Sequence, residues 1–171
     1  MPVEIKNQQG EVLTVIDRDD LACADLESAD LQGADLQGVN LRVVNLYCAN
    51  LQGADLYDAD LTHANLDNAC LTNSNLRGAD LSCAKLYHAN LRGADLSGAN
   101  LYGATLRGAD LSGAHLTGAT LRGADLSYAK LYDADFTGAN LIGAVLEGAD
   151  FTGANLEGVQ LGCNGLKVVP E

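Results

Sequence analysis

Several carboxylates of this 171-residue chain stand twenty residues apart, as do one histidine and one cysteine, so any chemistry has to come from side chains that such a spacing brings together. Asp60 and Asp80 form one such pair. Two carboxylates side by side can divide acid and base roles, because their repulsion raises one pKa. His63 and Cys83 are a histidine and a cysteine at the same separation. Zinc takes four ligands, or three with water, and two donors do not make a site, so neither a metal nor a cofactor is expected. His88 and His115 fall at other places in the interval. Of the five cysteines, no two are twenty apart, and Cys48 and Cys70 come closest but differ in their place. Cys23, Cys83 and Cys163 share a place but lie several intervals from one another. A disulfide needs Cα atoms within about 7 Å, so free thiols and a reducing cytoplasm are expected.

Binding chemistry is better represented than catalysis. Asp35, Asp55, Asp58, Asp95, Asp135 and Glu157 fall on one side of the interval, opposed by Arg77 and interrupted by Asn75, His115 and Asn155. They are the candidate partner-binding face. Carboxylates in a line can imitate the phosphates of duplex DNA, which carry one charge per about 1.7 Å. They also keep a repetitive surface soluble, and that is the simpler account of them. Tyr57, Tyr87 and Tyr102 each lie twenty residues before an arginine, Arg77, Arg107 and Arg122, and the ring and guanidinium are expected to stack for about 0.5 to 1 kcal/mol. Lys130 falls between Asp110 and Asp150 as a surface charge ladder.

The elements that position these residues follow from a shorter period. From Leu21 to Leu166 every fifth residue is Leu, except Phe136 and Phe151. The unit is Ala, Asp or Asn, Leu, and two variable positions, as in Ala34, Asp35, Leu36, Gln37 and Gly38. On an α-helix five residues advance by about 140° beyond a full turn, which scatters the leucines around the cylinder. In extended pieces Ala and Leu share one side and the Asp or Asn between them points the other way. The variable pair then turns a corner. Its second member is Gly in most repeats from Gly33 to Gly158, which suits the third position of a type II turn with positive φ. Cys23, Val43, Cys48, His63, Cys83 and Tyr128 stand at that place, and another turn is expected for them. A corner every five residues gives a square coil of four repeats, with residues twenty apart on neighbouring rungs. About seven coils at roughly 4.8 Å make a rod of about 34 Å.

On these residues the chain resembles the pentapeptide-repeat family over about 21–166. The resemblance implies an all-β, right-handed quadrilateral parallel β-helix. Many members come from cyanobacteria. Some protect DNA gyrase by mimicking DNA, but those favour Phe at the central position, interrupt the coil with loops and dimerise through C-terminal elements. Here Leu dominates, the period is unbroken, and the tail is short.

One domain is expected, with residues 1–20 as an N-terminal cap, 21–166 as the β-helix and 167–171 as a tail. Val3, Ile5, Val12, Leu13, Val15 and Ile16 around Asn7, Gln8, Gln9 and Gly10 form a short hairpin or extended cap. Leu166, Val168, Val169 and Pro170 fold over the last coil. Inside, Val39, Val44 and Val159 replace Ala and should bulge their rungs, and Ser74 buries a hydroxyl that needs a partner.

A net charge of −13 argues against direct binding to nucleic acid or an anionic membrane and for basic or neutral partners. The 47% hydrophobic content is Ala and Leu at fixed offsets, without a run able to span a bilayer. The start of the chain lacks the basic and apolar regions of a signal peptide. A cytoplasmic monomer is expected, or a thylakoid-lumen or periplasmic protein if this is a processed mature chain. A convex rod with a filled interior has no concave pocket for a nucleophile and base, so the function expected is noncatalytic. It is a rigid protein-interaction or structural module with an unidentified protein partner; the alternative is a DNA mimic directed at a type II topoisomerase, DNA gyrase.

Overall fold

The computed structural model describes residues 2–162. Their dominant feature is a ladder of parallel bridges between residues twenty apart, from Asp25 with Asn45 to Asn140 with Gln160. This is the right-handed quadrilateral β-helix. Each side of the square contributes one bridged residue, the Asp or Asn position, because only three extended residues separate consecutive corners. On a typical side the Leu51 amide donates to the Cys70 carbonyl at 2.7 Å and the Cys70 amide to the Ala49 carbonyl at 2.9 Å.

Alternation decides what is inside. Leu and Ala fill the rod and most are wholly buried, whereas the Asp or Asn between them stays half-exposed or exposed. Burying one leucine contributes on the order of 1.5 to 3 kcal/mol, so the repeated ladder supplies the stability. Val44 is fully buried and Val39 packs partly against the core. The Ser74 hydroxyl finds the expected partner, donating to the Leu71 carbonyl at 2.8 Å. Phe136 and Phe151 touch, with ring centroids 5.6 Å apart.

Every corner closes the same way. The residue after the corner donates back across it, as Ala54 does to Leu51 at 3.0 Å. The corner residue itself has positive φ, from 62° to 73° where it is Gly within the coils. The expectation of a different turn at other residues is wrong. Cys23, Val43, Cys48, His63, Cys83 and Tyr128 all have φ between 54° and 59°. Their amides occupy the same ladder as those of the glycines: Val43 donates to Thr62 at 2.9 Å and Gly53 to Thr72 at 2.9 Å. The ladder therefore imposes the left-handed backbone whichever residue is present.

At the N-terminal end β1 (Val3–Lys6) and β2 (Val12–Ile16) pair antiparallel with an irregularity between Ile5 and Lys6. Asn7 builds the connection, its carboxamide oxygen accepting from the amides of Gln9 and Glu11 at 3.0 and 2.9 Å. The hairpin joins the first coil through Asp35, whose amide donates to Lys6 at 2.7 Å. Ile5 enters the core. The folding of Leu166, Val168, Val169 and Pro170 over the last coil lies outside the described residues.

Candidate partner-binding faces

The square section gives four faces, and the Asp or Asn column at the centre of each is held by its own chain. A carboxylate or carboxamide oxygen accepts the amide two residues on, which fixes the side chain beside the corner. Where that residue is Ser or Thr, its hydroxyl donates as well: Ser97 to Asp95 at 2.6 Å, Ser127 to Asp125 and Thr137 to Asp135 at 2.5 Å. The Asn residues add rung-to-rung bonds, Asn75 donating to Asp55 at 2.9 Å and Asn100 to Asp80 at 3.1 Å.

On the acidic face, bridges run through Asp35, Asp55, Asn75, Asp95, His115, Asp135 and Asn155 in that order. Asp35 and Asp55 are thus neighbours, and from there each aspartate is followed by a neutral or basic residue. Asp55 is the most enclosed by partners, accepting from the Tyr57 amide at 3.1 Å and from Gln37 at 2.7 Å besides Asn75. Asp58 occupies a left-handed corner and its carboxylate lies over Gly78. Glu157 is exposed beside the column. Arg77 lies 3.9 Å from Asp95. The Asp135 carboxyl is held below its ordinary pKa, first by the Thr137 hydroxyl and amide, which burial opposes and to which Thr117 and the field of His115 add.

Three expectations need correction. Asp60 and Asp80 do bridge, yet the Asp60 pKa falls rather than rises. Burial is the largest influence and pushes it up, but the Thr62 hydroxyl and amide and the Arg42 guanidinium, 3.3 Å away, together outweigh it. The tyrosine and arginine pairs twenty apart do not stack; the described cation–π contact is Arg107 over Tyr128, 5.0 Å from its centroid. Arginine instead reaches toward the aspartate eighteen residues on, as Arg42 does to Asp60, Arg77 to Asp95 and Arg92 to Asp110 at 3.6 Å. The carboxylate stands one coil ahead of the arginine, within reach of its guanidinium. Lys130 approaches Asp110 at 3.9 Å, while among the described ion pairs it has none with Asp150. The eighteen-residue offset could have been read from the repeat, since the first variable residue follows the Asp position by two.

His63 and Cys83 stand on neighbouring rungs of one corner column, and Cys23, Cys48, Cys70 and Cys83 are free thiols. Among the described residues no group of three or more His, Cys, Asp and Glu converges as a metal site. An open groove of about 310 Å³ is lined by Arg92, Ser112, Gly113, Tyr132 and Asp133, without a histidine. Among the described residues no helix is long and apolar enough to cross a membrane.

The family profile described as pentapeptide repeats matches in 8 copies, over residues 24–62, 59–98, 99–138 and 129–162. No protein of curated function matches the chain. Among solved structures the chain is similar to HetL, a pentapeptide repeat protein involved in heterocyst differentiation regulation from the cyanobacterium Nostoc sp. strain PCC 7120. The two are 36% identical over 85% of this chain and 77% of HetL, with a TM-score of 0.40. A pentapeptide repeat protein of the Arabidopsis thaliana thylakoid lumen is 30% identical, over 63% of this chain and 65% of its own, with a TM-score of 0.37. A trypsin-treated form of QnrB1, a plasmid-mediated fluoroquinolone resistance protein, is 28% identical over 87% and 89%, with a TM-score of 0.46. With its five-residue unit matched by the family profile over nearly all of the coil, the chain belongs to the pentapeptide-repeat family.

Proposed function

We propose that the protein is a noncatalytic rigid rod that binds a protein partner through the face carrying Asp35, Asp55, Asp58, Asp95, Asp135 and Glu157. Residues 1–20 serve as its cap, 21–166 as the rod and 167–171 as a tail. The observation that carries this reading is the immobilisation of the carboxylates. Asp55, Asp95 and Asp135 are each tied to the amide two residues on and to at least one further side chain. A partner with basic groups then meets charges already in place, and little side-chain freedom is lost on binding. The free thiols support a reducing compartment, the cytoplasm.

Charge spacing favours this reading over a DNA mimic. Beyond Asp55 the column alternates aspartate with Asn75, His115 and Asn155. One carboxylate every second coil is one per roughly 10 Å, against about 1.7 Å per charge in duplex DNA. The test uses the purified protein as bait in a lysate of its source, beside a variant with Asp35, Asp55, Asp95 and Asp135 changed to Asn. A partner retained by the wild type and lost by the variant is the expected result. Equal capture by both proteins, or no capture, overturns the acidic-face reading. Capture of a type II topoisomerase, competed by DNA and dependent on the four carboxylates, would promote the mimic instead.

A further inference from the structure

We infer that Lys85, Tyr87, His88, Arg107 and Tyr128 form a second docking site, on the side of the rod opposite the acidic face, for an extended acidic segment of a partner protein. Ten residues, half a circuit, separate the two columns, so the faces look away from each other. The inference goes beyond the acidic-face reading and stands or falls without it.

Charge singles out this patch. The chain carries a net charge of −13, and five of its nine described Lys and Arg residues lie within 4 Å of a carboxylate. Arg42, Arg77, Arg92 and Lys130 each lie within 4 Å of an aspartate. Lys85 and Arg107 have no such ion pair among the described residues, although the field of Arg107 helps lower the Asp125 pKa. They sit on consecutive coils of one face, and its stretches 85–88 and 105–108 contain no carboxylate. Two exposed cations are therefore left together on an otherwise acidic rod. At physiological salt the Debye length is about 8 Å, so a bound segment is screened from the carboxylates of the far side; on the near side Asp67, which accepts the Tyr87 amide at 2.7 Å, and Asp125 and Glu147 flank the patch on the coils before and after it.

The rings beside them are already arranged. Tyr87 and His88 meet edge to face at 4.0 Å, and a His88 ring nitrogen, Nδ1, lies 3.2 Å from the Gly108 carbonyl oxygen. Arg107 covers the Tyr128 ring, whose hydroxyl donates to Glu147 at 3.1 Å. Glycine one coil ahead makes this possible. A Cβ at Gly108 would come 2.5 Å from the His88 ring, and one at Gly148 would come 2.6 Å from that of Tyr128. Tyr87 and Tyr128 nevertheless remain 41% and 51% exposed, which leaves apolar ring surface unpaired. Ordered tyrosine next to arginine is the composition that concentrates binding energy at protein interfaces.

Spacing defines the occupant. Neighbouring coils are about 4.8 Å apart, and same-side residues of an extended peptide repeat about every 6.7 Å. Lys85 and Arg107 are one coil and two residues apart, so carboxylates at alternate positions of an extended segment can meet both. The aliphatic stems of those acidic side chains then lie beside the tyrosine rings, and the residues between them point away from the rod.

The probe is a fluorescein-labelled hexapeptide alternating Glu and Leu, followed by fluorescence anisotropy, beside the same peptide with Gln for Glu. The wild type should bind the Glu probe at least about tenfold more tightly than the Gln probe, more weakly as salt rises. Lys85→Gln with Arg107→Gln should lower that affinity at least about tenfold, whereas Arg107→Lys should keep most of it. Arg42→Gln with Arg122→Gln makes the same change of charge on another face and should alter binding less than twofold. The Asp35, Asp55, Asp95 and Asp135 neutralised variant should still bind the probe, which separates this site from the acidic face. Thermal melts check that each variant is folded. Absence of Glu-probe binding, equal binding of the Gln probe, or an equal loss in the Arg42 and Arg122 variant overturns the site.

Discussion

Leu96 and Val43 belong to the same repeat but obey different rules. Leu96 is completely buried in a ladder where nearly every rung repeats the same side chain. Val43 is 52% exposed at a corner where Gly, Cys, His, Asp, Asn and Tyr all occur elsewhere with the same sign of φ. Inside, packing dictates the residue and the backbone follows. At the corners the backbone is dictated and the residue adapts. A left-handed conformation costs a non-glycine residue roughly 1 to 2 kcal/mol, and more for one branched at Cβ. The amides of Val43 and Val44 are both bonded, and Leu41 and Val44 on either side are fully buried. Moving the corner would disturb all of these at once, so the strain is tolerated. Side chains occupy most corners as far as His88, whereas from Gly93 to Gly158 only Tyr128 and Asp133 do.

The sharpest way to break the comparison is to put the same residue on each side of it. Leu96→Lys places an unpaired ammonium in the rod, at several kcal/mol, and should abolish the cooperative thermal transition seen by circular dichroism. Ser97→Lys, one residue away and pointing outward, should cost no more than about 1 kcal/mol, since it loses the hydroxyl bond to Asp95. Similar melting of the two variants would mean that inside and outside are reversed.

A smaller effect separates one corner from another. Gly118 and Gly148 have φ of 66° and 65°, but a Cβ at Gly118 meets nothing within 4 Å while one at Gly148 strikes the Tyr128 ring. Gly118→Ala should therefore cost about 1 kcal/mol from backbone strain alone, measured by chemical denaturation. Gly148→Ala should cost more, and the excess should vanish in a Tyr128→Ala background. The same excess without the ring would show that the corner, not the side chain leaning over it, is what differs. At Val43 the sign reverses: Val43→Gly removes strain and little contact, and should stabilise the rod by about 0.5 kcal/mol after the greater freedom of glycine in the unfolded chain is allowed for.

This division also explains what the sequence revealed. Leu and Ala at fixed offsets are a burial pattern, and burial together with the five-residue period determined the rungs, the columns and the outward carboxylates. Val43 and Tyr128 could not be placed from turn preferences, because those describe residues free to choose a conformation. Arg107 could not be placed from columns, because a long exposed side chain chooses among neighbours one coil away. Spacing of twenty puts Cα positions in register, but Arg42 and Asp60, eighteen apart, are the atoms that meet. The acidic face was legible as a set of residues; the bonds that immobilise Asp55 and the opposite patch around Lys85 required the fold.

The smallest expected effect is on acid stability, and it tests whether the corner hydroxyls matter to the faces they flank. Asp60, Asp110, Asp125, Asp135 and Asp150 all have pKa values below the ordinary carboxylate value. A carboxyl with a lower pKa in the folded state stabilises the fold above its unfolded pKa, near 3.9, and that contribution is lost as pH falls through the folded value. Stability should therefore change little from pH 7 to about 5 and decline below about pH 4. At Asp125 the Ser127 hydroxyl is the leading cause, ahead of the opposing effect of burial, and the Ser127 amide and Arg107 add to it. Ser127→Ala removes that hydroxyl from a buried position, so the Asp125 carboxyl should titrate at higher pH by NMR, nearer its unfolded value, and the share of the acid decline that Asp125 supplies should shrink. An unchanged Asp125 titration would mean that the backbone amide alone sets it. The outer ladder would then owe its order to the corners and not to the residues chosen there.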